Sequence, residues 1–268
     1  MFTEEVERKS RESNKNPQCT HLDCNLSINR KEDTALAPAS MSRNARGSAR
    51  STPTKNFDAA IQKKFEQYKD AELNNDDEQY IGVEGLEKLC AEMVIDPQSR
   101  VLILLQKECG STTMGELTQS EFLAGMTKLG FDDDPYTLKK VGTKLKNADR
   151  AMGHPSSRAS SGTSTEFSEL YKYTFELCRE SKMKKVIDKS IALGMFQLVL
   201  GESKLHHVAP LCAFLENKGD INAINIDQWA CMLDFVATIK PDFSNYSEDE
   251  AWPVMLDDYV EDVRKNSA

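Results

Sequence analysis

The chain has 268 residues, a formal net charge of −9 and 39% hydrophobic residues. That acidic balance works against general affinity for nucleic acid or anionic membrane and favours basic protein partners. No apolar run reaches membrane-spanning length and the first residues lack the apolar core of a signal peptide, so a cytoplasmic and/or nuclear protein is expected.

Residues 1–56 read as a disordered tail, polar throughout and without a sustained hydrophobic period. Cys19, His21 and Cys24 are close enough to suggest a metal site, but no second ligand pair follows nearby, so no metal is expected there. The remaining cysteines fall within apolar helical patterns, where buried, reduced thiols are expected. Residues 57–69 place Phe57, Ile61, Phe65 and Tyr68 on one face of an amphipathic helix. An EF-hand-like loop follows, with Asn74, Asp76 and Glu78 at the first three ligand positions and Ile81 at the hydrophobic position. Gln79 stands where the turn glycine belongs, however, and Gly85 where the bidentate glutamate belongs.

A second degenerate hand follows a nearly all-apolar helix over residues 100–109. Gly115, Leu117 and Glu121 occupy the loop-glycine, hydrophobic and terminal-glutamate positions, while Gly110, Thr112 and Met114 bring no carboxylate to the ligand positions. Thr118 with Glu121 reads as a capping box for a helix over 119–129. Calcium takes about six to eight oxygen ligands. EF-hand architecture without strong calcium binding is therefore expected over 57–131. Such a pair packs into a cup with an apolar interior, a shape that receives a partner's helix or terminus.

Residues 134–148 form a weaker helix with Leu138, Val141 and Leu145 inward, and 153–165 read as a Ser/Gly/Pro-rich flexible loop. Together, residues 132–165 separate the first half from an all-helical second half, 166–265. There Phe167, Leu170, Tyr171 and Phe175 share one helix face, Asp188 caps the next helix, and residues 204–217 form a third. His206 and His207 lack a partner ligand at metal spacing and read as surface or packing residues. Asp227 caps or begins a helix whose core stripe is Trp229, Met232, Leu233, Phe235 and Val236. After Pro253, a last helix buries Met255, Leu256, Tyr259 and Val260 and turns Asp257, Asp258, Glu261 and Asp262 outward. The fold class expected is all-α: two degenerate EF-hand-like helix pairs followed by a C-terminal helical bundle.

No phosphate loop, nucleophile elbow or zinc signature occurs, so neither a catalytic residue nor a cofactor is expected. The acidic cluster lies on an exposed helix face, where carboxylates have no reason for a tuned pKa. A scaffold is the reading that remains, with a calcium-responsive or structural EF-hand-like interaction module as the alternative.

Ser244-Asn245-Tyr246, Glu250-Ala251-Trp252-Pro253-Val254 and Leu256-Asp257-Asp258-Tyr259-Val260-Glu261 resemble the C-terminal signature of the defective-in-cullin-neddylation family. Ile226-Asp227-Gln228-Trp229 and Leu233-Asp234-Phe235 fit the same family at the same spacing. The resemblance runs from about residue 57 to 265 and implies one PONY (potentiating neddylation) domain after the tail. It implies a non-catalytic ligase cofactor that holds a cullin C-terminal domain and the neddylation conjugating enzyme, promoting transfer of the ubiquitin-like modifier to the cullin lysine. The family's Asp-Ala-Asp cullin patch falls on Asp227, Ala251 and Asp257. Its pocket for the acetylated N-terminus of the conjugating enzyme falls on Val83, Leu86, Leu102, Leu105, Cys109 and Leu117. Acetylation suits an apolar pocket because it removes an ammonium charge that burial would have to desolvate.

Overall fold

A computed structural model describes residues 54–70, 79–132, 134, 136–155, 163–201 and 203–267. The expectations for residues 1–53, for the Cys19/His21/Cys24 cluster, for Asn74, Asp76 and Glu78, and for residues 156–162 lie outside these described residues.

Ten helices and four very short strands order the described residues. The first half holds α1 (Thr54–Tyr68), β1 (Tyr80–Ile81), α2 (Val83–Met93), α3 (Arg100–Cys109), β2 (Leu117–Thr118) and α4 (Gln119–Leu129). Helix α1 therefore starts three residues earlier than the apolar periodicity indicated, inside the stretch assigned to the tail. The all-α expectation holds. The paired-hand arrangement is visible in the backbone: β1 and β2 pair antiparallel with Ile81 opposite Leu117, the two residues assigned to the hydrophobic loop position. Between them Phe65, Phe122, Leu89, Met93 and Met126 fill the core, with the Phe65 and Phe122 rings 5.9 Å apart.

Helix α5 (Thr137–Met152) packs on α2 and α3. It crosses α2 at Gly142, where a Cβ would overlap the Met93 carbonyl oxygen, so the backbones touch with no side chain between them. The junction to the second half runs through Arg100, 5% exposed. Its guanidinium reaches Asp149 on α5 at 2.6 Å and lies 5.4 Å from the Phe167 ring. Buried charge is costly unless paired, and here the pair ties α3 and α5 to the start of the next helix.

That second half runs α6 (Thr165–Leu177), β3 (Val186–Asp188), α7 (Lys189–Leu200), α8 (Val208–Asn217), β4 (Ala223–Asn225), α9 (Ile226–Thr238) and α10 (Val254–Ser267). Helix α8 begins four residues later than residue 204, the expected start, and Leu205 is buried from the turn ahead of it. Strands β3 and β4 pair antiparallel, Val186 with Asn225 through Asp188 with Ala223. The second half thus repeats the helix–strand–helix plan of the first, which the periodicity of the chain does not announce. Cys90, Cys109, Cys178 and Cys212 are buried free thiols. Burial pushes the thiols of Cys90 and Cys212 up to about 11 and those of Cys109 and Cys178 up to about 12, so they act as small apolar core residues.

Candidate functional site

Trp229 fixes the first turns of α9. Its ring stacks on Tyr171 of α6 at 4.5 Å, its indole N–H donates to the Tyr171 carbonyl at 3.0 Å, and the Tyr171 hydroxyl donates to the Trp229 carbonyl at 2.7 Å. Phe175 and Phe196 close around the same indole. The helix start is capped by Asn225 with Gln228, each accepting from the other's backbone N–H. Asp227 follows two residues after the cap, in the first turn, where the helix dipole favours an anion. It is exposed and has no ion-pair partner among the described residues.

Farther along α9, Phe235 meets Trp252 edge-to-face at 5.5 Å and Tyr259 at 5.9 Å. This contact seats the segment that carries Ala251 and Asp257. Ala251 is exposed, and its neighbour Trp252 is half-buried with its N–H on Glu250 at 3.0 Å. Asp257 is half-buried in the first turn of α10 and accepts a hydrogen bond from the Tyr246 hydroxyl. Burial raises the Asp257 carboxyl above the ordinary carboxylate value; Asp258 and Glu248 push the same way, and the Tyr246 hydrogen bond opposes them. The structure thus joins Ala251 and Asp257 on one segment. Asp227 stands about 12 Å along the α9 axis from the Phe235 that supports that segment.

Two details of this face were not readable from its motif. Residues 241–262 contain no Lys or Arg, yet Lys218 at the end of α8 reaches Asp258 at 2.8 Å. Arg264 pairs with Glu248 at 3.3 Å and covers the Tyr246 ring at 5.4 Å. The acidic surface is therefore partly neutralised from within, at Asp258 and Glu248.

Beneath it sits His207, 4% exposed, between Phe243, Phe235 and Tyr259. Its Nε2 lies 2.9 Å from the Lys240 carbonyl, which can only accept, so Nε2 carries the proton and Nδ1 accepts from the Tyr259 hydroxyl at 3.1 Å. Burial pushes the imidazole pKa below its ordinary value, and the charge of His206 adds to this, against the Lys240 hydrogen bond. A folded-state pKa below the unfolded one means that the unfolded chain takes up a proton first. Stability is thus full above about pH 6.5 and is lost as pH falls from there towards the depressed value. His207→Gln, which keeps a donor and an acceptor, should flatten this dependence. Melting temperature read against pH checks it, at about 2–4 °C per kcal/mol.

In the first half, Leu86, Leu105, Cys109 and Leu117 are buried, Leu102 is half-buried and Val83 is exposed, so only the last two present surface. None of the six lines the 550 Å³ cleft that opens beside them, between residues 110–114 and the end of α6 with the turn after it. The terminal glutamate of the loop after α3 is not ready for a cation. Both oxygens of Glu121 accept from backbone, Thr112 N–H at 3.2 Å and Thr118 N–H at 2.9 Å. Among the described residues no group of three or more His, Cys, Asp or Glu is placed to hold a metal ion, and no helix is long and apolar enough to cross a membrane.

Residues 144–262, which contain Asp227, Ala251 and Asp257, match the family described as cullin binding. The end of α5 and the second half of the molecule, with α9 and α10 at its end, therefore carry the domain of that family. The chain is 35% identical over 190 residues to DCN1-like protein 2 of Dictyostelium discoideum, covering 71% of this chain and 66% of that one. It is 34% identical over 189 residues to DCN1-like protein 4 of Drosophila melanogaster, 70% of each chain. With human DCN1-like protein 4 the identity is 35% over 181 residues, 68% of this chain and 56% of that one. This chain belongs to the DCN1-like, cullin-binding family, as its C-terminal signature implied.

Proposed function

We propose that this chain is a non-catalytic cofactor of cullin neddylation. It holds a cullin C-terminal domain on the face of Asp227, Ala251 and Asp257, and it receives the N-terminus of the neddylation conjugating enzyme at the apolar cup of the first half. Holding both raises their effective concentration and orients the thioester towards the cullin lysine, so transfer speeds up while the chemistry stays with the conjugating enzyme. The observation that carries this is the pair of carboxylates: one exposed on a helix anchored by Trp229 and without an ion pair among the described residues, the other half-buried and held by Tyr246. Two such groups suit basic cullin residues, and the small side chain of Ala251 permits close approach. Of the residues assigned to the cup, Val83 and Leu102 are the accessible ones, while Leu86, Leu105, Cys109 and Leu117 are buried. Function in the cytoplasm and/or nucleus follows from this role.

The calcium-responsive alternative loses its footing at Glu121, whose carboxylate is committed to the backbone. The test is reconstituted cullin modification with purified conjugating enzyme, modifier and cullin, with and without this chain. Addition of the chain should raise the initial rate by about tenfold or more. An unchanged rate would sink the proposal.

A further inference from the structure

We infer that Gln106 does the work of the missing cation in the second hand, setting the loop after α3 in the shape that a bound ion would otherwise impose. Counting Gly110 as the first loop residue, Glu116 is the seventh, whose backbone carbonyl is a ligand in calcium-binding hands. Here that carbonyl points at protein donors. The Gln106 amide nitrogen lies 3.4 Å from the Glu116 carbonyl, 3.1 Å from the Thr113 carbonyl and 3.4 Å from the Ser111 hydroxyl. The Ser111 hydroxyl lies 2.8 Å and 3.0 Å from the same two carbonyls. Gln106 is wholly buried and Ser111 nearly so, so both groups act where water competes little.

The loop around them keeps two features of a calcium-binding hand. Gly115 takes the left-handed conformation, φ 76°, at the position of the loop glycine, and Leu117 pairs with Ile81 across the ribbon. A divalent cation gathers carbonyl oxygens by positive charge, and an amide NH2 with a hydroxyl gathers them by hydrogen bonds without a charge to desolvate. Gln106 pays for this in one respect: its own Oε1, buried, has no hydrogen-bond partner. The Tyr173 hydroxyl adds a tether, donating to the Ser111 carbonyl at 2.8 Å and fixing the loop to α6 of the other half. Leu117 at the loop's end and Cys109 before it belong to the cup proposed for the conjugating enzyme. Gln106 is thus a positioning residue for that cup, and it makes the cup independent of any ion. The link to the cup rests on the proposed function; the loop-setting role does not.

The experiment measures amide hydrogen exchange at Thr112, Glu116 and Thr118, with and without millimolar calcium, in the full chain and its variants. In the original chain exchange should be slow and indifferent to calcium. Gln106→Met, which keeps the size and removes the donors, should speed exchange at these amides by about tenfold, and Ser111→Ala should do so to a lesser degree. Gln106→Glu places a carboxylate against the two carbonyls, so exchange should be fast without calcium and slow with it. That ion rescue is a response which mere loss of packing does not produce. Unchanged exchange in Gln106→Met, no calcium response in Gln106→Glu, or a calcium response in the original chain would each overturn the inference. Binding of an acetylated N-terminal peptide of the conjugating enzyme, measured in parallel, should weaken in Gln106→Met and recover with calcium in Gln106→Glu. If the original chain binds no peptide, the cup's proposed partner is wrong, and the exchange results still decide the role of Gln106.

Discussion

Asp257→Ala combined with Ala251→Arg should abolish capture of a cullin C-terminal domain while the chain stays folded. Asp257 is the stronger of the two patch carboxylates on physical grounds. It is half-buried, with Asp258 and Glu248 nearby, and burial first and these charges second hold its pKa above the ordinary value. A carboxylate already partly stripped of water and set among anions gains more from an arriving cation than a solvated one does. Truncating such a charge at an interface costs about 2–5 kcal/mol, whereas an exposed pair contributes about 0–1 kcal/mol. Asp227→Ala should therefore weaken binding less than Asp257→Ala. Ala251→Arg adds an opposing element, a bulky cation at an exposed position facing a basic partner.

Neither change threatens the core. Asp257 accepts its hydrogen bond from the hydroxyl of the partly exposed Tyr246, which water can satisfy in the variant. Titration calorimetry against the cullin domain, with a thermal melt on each variant, reads both effects. Asp249→Ala, an exposed acidic change a few residues away, serves as the control and should bind normally. If the folded double variant binds as the original chain does, the grip lies elsewhere on the domain.

The fold was most legible where local rules decide it. The Thr118/Glu121 capping box is present as the pattern S/T-x-x-E indicates. The assignment of Ile81 and Leu117 to one loop position is met by their pairing across the ribbon. Helix faces such as Phe167, Leu170, Tyr171 and Phe175 are buried as their spacing requires. What could not be read depends on residues far apart in the chain. The β3–β4 ribbon is held by partners 35 to 39 residues apart, each strand too short to carry an alternating pattern. Lys218 meets Asp258 across 40 residues, so counting charges within residues 241–262 missed it. Tyr246 stood in the motif as a marker, and only the fold shows its hydroxyl on Asp257. The α9 start shows what the pattern left open: Asn225 and Gln228 make the capping box, and Asp227, read as capping or beginning the helix, sits inside its first turn.

Gly85→Glu should not restore calcium binding to the first hand, and it should destabilise the chain by about 3 kcal/mol or more. By sequence the position is the one where a calcium-binding loop carries its bidentate glutamate, so the substitution looks like a repair. The structure gives the glycine a different task. Helix α2 crosses the end of α1 at this point, and a Cβ on Gly85 would overlap the Tyr68 carbonyl oxygen and crowd Cγ2 of Ile81. The first obstacle is backbone, which cannot swing aside as a flexible side chain would. Ile81 is itself pinned by its pairing with Leu117, so relief of the overlap would have to separate α1 from α2 or break the ribbon. The decisive comparison is Gly85→Ala. Since the obstruction begins at Cβ, alanine should lose nearly as much stability as glutamate in urea unfolding, and calcium should raise the midpoint of neither. If alanine is tolerated and only glutamate destabilises, the cause is the buried carboxylate rather than the helix crossing. In that case the first hand lost its ion through its ligands alone.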